Sequence, residues 1–168
     1  MRVYLETEVI SREEVYEVLS CLPPQDLEEL KSIKIVDGLI DEETHCRGEY
    51  QRWNQRIVIS VAATRNSVGE DGDIFFEIIS SLLHEMGHHV DSKSPGFWTQ
   101  VENYDGGADL DYRDPEFSIY TDSVAELSSL WAYKEIEEHA HRYEEKHIEV
   151  IRTVLPRPPQ RRIEEFLS

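Results

Sequence analysis

The chain has 168 residues, which suits one domain that can bury a core without disulfides or metal staples. Hydrophobic residues make up 39% of it and charged residues 31%, a balance typical of globular rather than disordered proteins. The 17 basic residues stand against 35 acidic ones, so the net charge is −18. This charge argues against nucleic acid and anionic membranes as partners, because both need a basic surface.

Cys21 and Cys46 are the only cysteines, and they form neither a disulfide framework nor a CxxC metal or redox pair. No apolar run approaches the ~20 residues of a membrane helix, and the first residues lack the apolar stretch of a signal peptide. We therefore expect a single cytoplasmic domain over residues 1–168, with no membrane partner. The sequence leaves the oligomeric state open.

The first part of the chain predicts short strands and helices in alternation. Residues 3–5 can form a strand, and Ser11 followed by Glu14 makes a capping box at the start of a helix. Apolar residues then recur at helical spacing until Pro23 ends the pattern. A second short helix is predicted over residues 25–32.

The next segments have β character. The β-branched run at 33–36 predicts a strand that stops at an Asp-Gly turn. Residues 48–63 predict a hairpin whose second strand, 56–61, has the strongest β character in the chain. Residues 66–73 are polar and contain glycine, so they predict a loop.

Two long helices complete the prediction. Residues 74–90 are the most periodic segment and predict an amphipathic helix with Asp73 as its N-cap. A long loop is predicted over 92–117, and a second long helix over 121–146. The first of these helices carries one apolar stripe at helical spacing, formed by Phe75, Ile79, Leu82, Leu83, Met86 and Val90.

The first long helix contains the sequence HExxH at residues 84–88. Residues four apart in a helix lie one turn above each other, so the imidazoles of His84 and His88 can bind one zinc ion. Glu85 follows the first histidine, where its carboxylate can take a proton from a water that the metal activates. Gly87 leaves room for a neighbouring helix to approach closely. A chance match is the alternative, and the mid-helix position of the motif disfavours it.

A catalytic zinc ion needs a third protein ligand. Asp122 and Glu126 are four residues apart in the second predicted helix, so both can point at the same site. One would bind the metal while the other would accept the second ring proton of a ligand histidine. Exposed helix charges are the alternative interpretation of both. The charged stretch 135–147 is interpreted as a solvated helix face, with a secondary metal contact through its histidines as the alternative.

At these residues the sequence resembles the gluzincin peptidases, and within them the catalytic domain of anthrax lethal factor and its relatives. The resemblance implies an α+β fold of the zincin type, with a small twisted sheet packed on the HExxH helix and a helical C-terminal half. It covers roughly residues 45–135 and rests on Gly48-Glu49-Tyr50, the strand 57–59, the segment 83–91 and Ala125-Glu126.

The resemblance also implies roles for single residues. In gluzincins the ligand glutamate is typically followed four residues later by an acid that contacts a ligand, which makes Asp122 the ligand and Glu126 its partner. This sequence departs from the family in having aspartate at the first position; if that shorter side chain does not reach, Glu126 becomes the ligand. Related enzymes place a tyrosine near the metal to stabilise the oxyanion, and Tyr120 is the nearest candidate. An ordinary packing tyrosine is the alternative.

The expected function is hydrolysis of peptide bonds in a peptide or protein substrate, with one zinc ion per chain and Glu85 as the general base. An edge strand within 48–61 would bind the substrate backbone, as in gluzincins. The alternatives are a zincin-fold regulatory or binding module with little turnover, and a latent peptidase. In the latent form the proline-rich tail at 155–159 would be extended and lie near the cleft; an ordinary linker or packed end is the alternative and the favoured interpretation of such a tail.

Overall fold

The computed structural model describes residues 1–43, 45–69, 72–93 and 124–155; within 124–133 it describes the backbone alone. The described residues form an α+β fold, which confirms the fold class at that coarse level. The helices are α1 (Arg12–Ser20), α2 (Val61–Val68), α3 (Ile74–Ser92) and α4 (Val124–Val154), with single 3₁₀ turns at Pro24–Leu27 and Arg52–Asn54.

Four strands form one mixed sheet in the order β1-β2-β4-β3. The first three of these run parallel, whereas β3 pairs antiparallel with β4 and lies at the edge. The β-branched residues of β2 and β4 suit the buried centre of the sheet, because such side chains pack well on a pleated surface. The strands are β1 (Arg2–Glu6), β2 (Ser32–Val36), β3 (Gly48–Gln51) and β4 (Arg56–Ser60).

Helix α3 lies at the centre of the molecule, with β3 and β4 on one side and α4 on the other. Five of the six residues in the predicted stripe, Phe75 to Met86, are at most 1% exposed. Asp73 accepts a hydrogen bond from the Phe76 N–H at 3.4 Å, which confirms the predicted N-cap. The apolar stripe therefore faces the core, and His84, Glu85 and His88 of the motif lie on the remaining faces of the same helix.

Close packing between α3 and α4 depends on Gly87. A Cβ atom added there would lie 2.6 Å from the Cα of Ala140 on α4, too close for any real contact. The prediction that Gly87 leaves room for a neighbouring helix is confirmed.

The N-terminal predictions are partly confirmed. The Ser11 and Glu14 capping box is present, with hydrogen bonds of 3.1 and 2.8 Å between the backbone N–H groups and the two side chains. The predicted helix over 25–32 is wrong, because the single 3₁₀ turn there stops before Glu29. Glu29 has a left-handed φ of 68°, which ends helical geometry, and β2 begins at Ser32.

Two further differences concern where helices begin and end. Residues 61–68 form α2 rather than strand and loop, because Ser60 acts as the N-cap and accepts the Ala63 N–H at 3.0 Å. The second long helix extends eight residues beyond its predicted end, and Ile151 and Leu155 bury themselves in the core there. Within the described segments, no helix has the length and apolar character needed to cross a lipid bilayer.

Candidate metal centre and catalytic base

His84 and His88 lie one turn apart on α3, on the side that faces α4. Their ring centroids are 4.8 Å apart, and His88 is buried whereas His84 is partly exposed to the cleft. The HExxH spacing thus places both imidazoles together, as the sequence predicts.

The carboxylate of Glu137, on α4, bridges the two imidazoles. The Nε2 atom of His84 is 3.1 Å from one of its oxygens, and the Nε2 atom of His88 is 3.1 Å from the other. In a tetrahedral zinc site with bonds of about 2.0–2.1 Å, two ligand atoms lie about 3.3 Å apart. Imidazole and carboxylate are groups that zinc binds, and each of the two nitrogen–oxygen distances is close to the separation of neighbouring zinc ligands.

The pKa values of His84 and Glu137 reflect the contact between the imidazoles and the carboxylate. Burial alone would raise the pKa of the Glu137 carboxyl, but hydrogen bonds from His84 and His88 hold that pKa well below its usual range. Burial alone would lower the pKa of His84, but hydrogen bonds to Glu137 and Glu144 raise it to about 10. The two shifts show that the imidazoles and the carboxylates around them stabilise each other's charged forms.

Glu144 lies near Nδ1, the other ring nitrogen of His84. One of its carboxylate oxygens is 3.6 Å from Nδ1 of His84 and 3.3 Å from Nδ1 of His141, and Ser80 donates a hydrogen bond to the same carboxylate. Metal-binding histidines usually donate their second ring proton to such a carboxylate, which fixes the tautomer and the ring orientation. Glu144 is therefore placed to orient His84.

Glu85 is buried beside the edge strand. The backbone N–H of Tyr50 hydrogen-bonds its carboxylate, and a Cβ atom added to Gly48 would lie 2.8 Å from its Cγ and Oε1 atoms. Burial raises the pKa of the Glu85 carboxyl, and the neighbouring His88 and His84 partly offset that rise. A carboxyl group with a raised pKa holds a proton more readily, which suits general acid–base chemistry. With His84 and His88, Glu85 also forms a group whose possible ligand atoms all lie within 4.8 Å of one another.

A cleft of ≈ 780 Å³ opens over these side chains. Edge strand β3 forms one wall, and α3 and α4 form the others. Cations on its rim are paired, Arg47 with Glu77 and Arg152 with Glu149. Glu85, His84 and His88 are among the side chains that line the cleft.

Three candidate residues from the sequence cannot be placed. Asp122 and Tyr120 lie outside the described residues, as does the side chain of Glu126. The choice between Asp122 and Glu126 as third ligand, and the role of Tyr120, stay predictions. The proline-rich tail beyond Leu155 also lies outside the described residues.

Sequence reasoning missed Glu137, which belongs to the stretch interpreted as a solvated helix face. That interpretation is wrong for Glu137 and for His147, which are both largely buried. A usable signal was present, because Glu137, Ala140 and Glu144 share one helix face and the small Ala140 marks a close helix contact. His89, the residue that follows the second histidine of the motif, is 1% exposed and belongs to the buried interior.

No protein-family model, curated protein or solved structure matches the chain. The resemblance to gluzincin peptidases therefore stays a prediction, and the case for a function rests on the side chains of the site.

Proposed function

We propose that the chain is a zinc-dependent metallopeptidase that hydrolyses peptide bonds in a peptide or protein substrate. The observation that carries this proposal is the meeting of His84, His88 and Glu137 beside the buried carboxylate of Glu85. The ligand set we propose for one zinc ion per chain is His84, His88 and Glu137. Two imidazoles and one carboxylate are a common donor set of catalytic zinc sites, which keep a fourth position open.

The proposed reaction divides the chemistry between the metal and the chain. A bound zinc ion would supply Lewis acidity, which polarises the scissile carbonyl and acidifies a water molecule. Glu85 takes the proton from the attacking water and gives it to the leaving amine. Burial supports this double role, because it makes the protonated carboxyl more stable than it would be in solvent.

The edge strand provides a place for the substrate. In the described part of the chain β3 has a strand neighbour on one side, and Gly48, Glu49 and Tyr50 line the cleft next to His84 and Glu85. An extended peptide can add to such an edge through backbone hydrogen bonds. This arrangement would bring the scissile bond towards Glu85.

The decisive experiment compares the wild-type protein with Glu85→Gln, which keeps the size and helix propensity of the side chain. Both proteins are expected to hold one zinc ion per chain, measured by elemental analysis. Cleavage of a diverse peptide library should fall by at least about 100-fold in the variant, because the general base is lost.

The outcomes separate the two candidate functions. Equal cleavage by both proteins would overturn the role of Glu85. Zinc binding without cleavage by the wild-type protein would replace the peptidase with a zincin-fold regulatory or binding module. Stoichiometric zinc in His84→Ala would overturn the metal site itself.

A further inference from the structure

The Tyr50 side chain connects the edge strand to the C-terminal end of α3. Its hydroxyl is 3.1 Å from Nδ1 of His89 and 3.1 Å from Oγ of Ser92, and the Tyr50 and His89 rings meet edge to face at 5.4 Å. Both rings are nearly completely buried.

The second ring nitrogen of His89 fixes the direction of this hydrogen bond. Nε2 lies 2.9 Å from the backbone carbonyl oxygen of Glu28, and a carbonyl oxygen can only accept. Nε2 therefore carries the proton, which leaves Nδ1 of the neutral ring as an acceptor for the Tyr50 hydroxyl. A continuous line of hydrogen bonds thus runs from β3 through α3 to the loop before β2.

The backbone of the same tyrosine holds Glu85. The Tyr50 N–H hydrogen-bonds the Glu85 carboxylate, and the missing Cβ of Gly48 lets β3 lie directly against that side chain. Tyr50 is therefore anchored by its side chain at His89 while its N–H holds the carboxylate. Because β3 packs closely on Glu85 at Gly48, the position of the strand and the position of the carboxylate are linked.

We propose that Tyr50 and His89 are positioning residues that hold β3 against α3, so that the Tyr50 N–H fixes the Glu85 carboxylate in its reactive orientation. This inference rests on the proposed peptidase function for its effect on rate. Its structural part, the fixing of β3, stands independently of activity. The Tyr50 hydroxyl and the His89 ring act through the strand and the general base, by way of their contact with each other.

The test replaces Tyr50 with Phe, which removes the hydroxyl and keeps the ring. Backbone amide exchange of residues 48–51 is expected to speed up by about tenfold, the equivalent of one lost net hydrogen bond. The zinc affinity should stay unchanged, and kcat per bound zinc should fall by a similar factor. His89→Phe should have at least the same effects, since it also loses the hydrogen bond to the Glu28 carbonyl. The double variant should be no worse than His89→Phe alone, because both changes remove the same Tyr50–His89 hydrogen bond.

Tyr143→Phe is the matched control. Its hydroxyl donates to Asp26 at 2.8 Å, so the variant also loses a partly buried tyrosine hydrogen bond, but one that does not involve β3. We expect unchanged exchange at 48–51 in this control. A general loss of stability would speed up exchange in both proteins and would overturn the positioning role.

The remaining outcomes separate this inference from the proposed function. An active wild-type protein together with unchanged exchange and kcat in Tyr50→Phe would overturn the inference and leave the peptidase intact. An inactive wild-type protein would overturn the peptidase, and amide exchange alone would then decide whether Tyr50 and His89 fix β3.

Discussion

Glu137 and Glu144 are seven residues apart on α4, so they lie two turns apart on one face of that helix. Their carboxylates meet different nitrogens of one imidazole: Glu137 is near Nε2 of His84, and Glu144 is near Nδ1. Glu126 belongs to the same helix, and eleven helical residues separate it from Glu137 by about 16 Å along the axis. One metal ion at the imidazoles can therefore take Glu137 or Glu126 as a ligand, but not both.

The first prediction ranks the three glutamates by their effect on zinc affinity. Glu137→Gln should lose more than 100-fold, because it removes a proposed ligand, whereas Glu144→Gln should lose about 10–100-fold, the usual effect of a carboxylate that orients a ligand. Glu126→Gln is the control and should leave the affinity unchanged. Competition with a calibrated chelator measures all three. The largest loss in Glu126→Gln would move the third ligand back to the position that the sequence suggested.

These residues show which parts of the site could be predicted from the sequence and which could not. The spacing of His84 and His88 is a local property of one helix, and so is the position of Glu85 between them. Glu137 contacts them only because α4 packs on α3 in one particular register. A charged residue in an acidic helix is indistinguishable from a solvated one until that register is known.

The packing of α3 on α4 sets the distance between the histidines and Glu137. Gly87 lies between the two histidines in the sequence and faces the backbone of Ala140, three residues after Glu137. The contact region of the two helices is therefore also the floor of the metal site. Any side chain that separates them moves Glu137 away from both imidazoles.

Gly87→Ala should accordingly affect both stability and metal binding. The added methyl group forces α4 outwards; the gain in helix propensity offsets part of this, for a net loss of about 1–2 kcal/mol in the free energy of unfolding. Zinc affinity should fall as well, because Glu137 moves with α4. Urea unfolding with chelator present and a separate zinc titration measure the two effects.

Gly38→Ala provides the control, since a Cβ atom there meets nothing within 4 Å. Unchanged unfolding and unchanged zinc affinity in Gly87→Ala would show that the helix contact does not set the geometry of the site.

Secondary structure could be predicted where the sequence pattern that specifies it lies within the segment itself. The capping box at Ser11 and the stripe of α3 are such signals, and both are confirmed. Helix α2 was missed because Val61 continues the β-branched run of β4, and only the Ser60 side chain turns the chain into a helix. The end of α4 was missed because Ile151 and Leu155 pack into a core that distant parts of the chain form.

In the molecule as a whole, hydrogen bonds and apolar packing attach α4 to the other elements at several points. Tyr143 donates a hydrogen bond to Asp26 in the N-terminal region, Ser80 on α3 donates to Glu144, and Ile151 packs into the main core. A zinc ion held by α3 and α4 would add a further link between these two helices. Metal binding should therefore stabilise the entire fold and not the site alone.

The last prediction is a rise in melting temperature with zinc. At a free zinc concentration 100 times the Kd, binding adds about 2.7 kcal/mol to the free energy of unfolding. For a chain of this length that corresponds to a rise of about 5–10 °C. His84→Ala should show no rise, and differential scanning calorimetry of both proteins with zinc or with a chelator makes the comparison. An equal rise in both proteins would indicate binding away from the proposed ligands.

Because the proposed site is divided between α3 and α4, it can be assembled only after both helices have been synthesised. A chain is synthesised from its N-terminus, and its early parts can fold before the later parts exist. The strands of the sheet and His84, Glu85 and His88 are thus synthesised before α4, which carries Glu137 and the Glu144 carboxylate that orients His84. With the ligand set proposed here, an unfinished chain holds the metal poorly and cannot cleave its neighbours. On the proposed function, a peptidase assembled in this order would be inert during its own translation and would become active only when α4 has docked on α3.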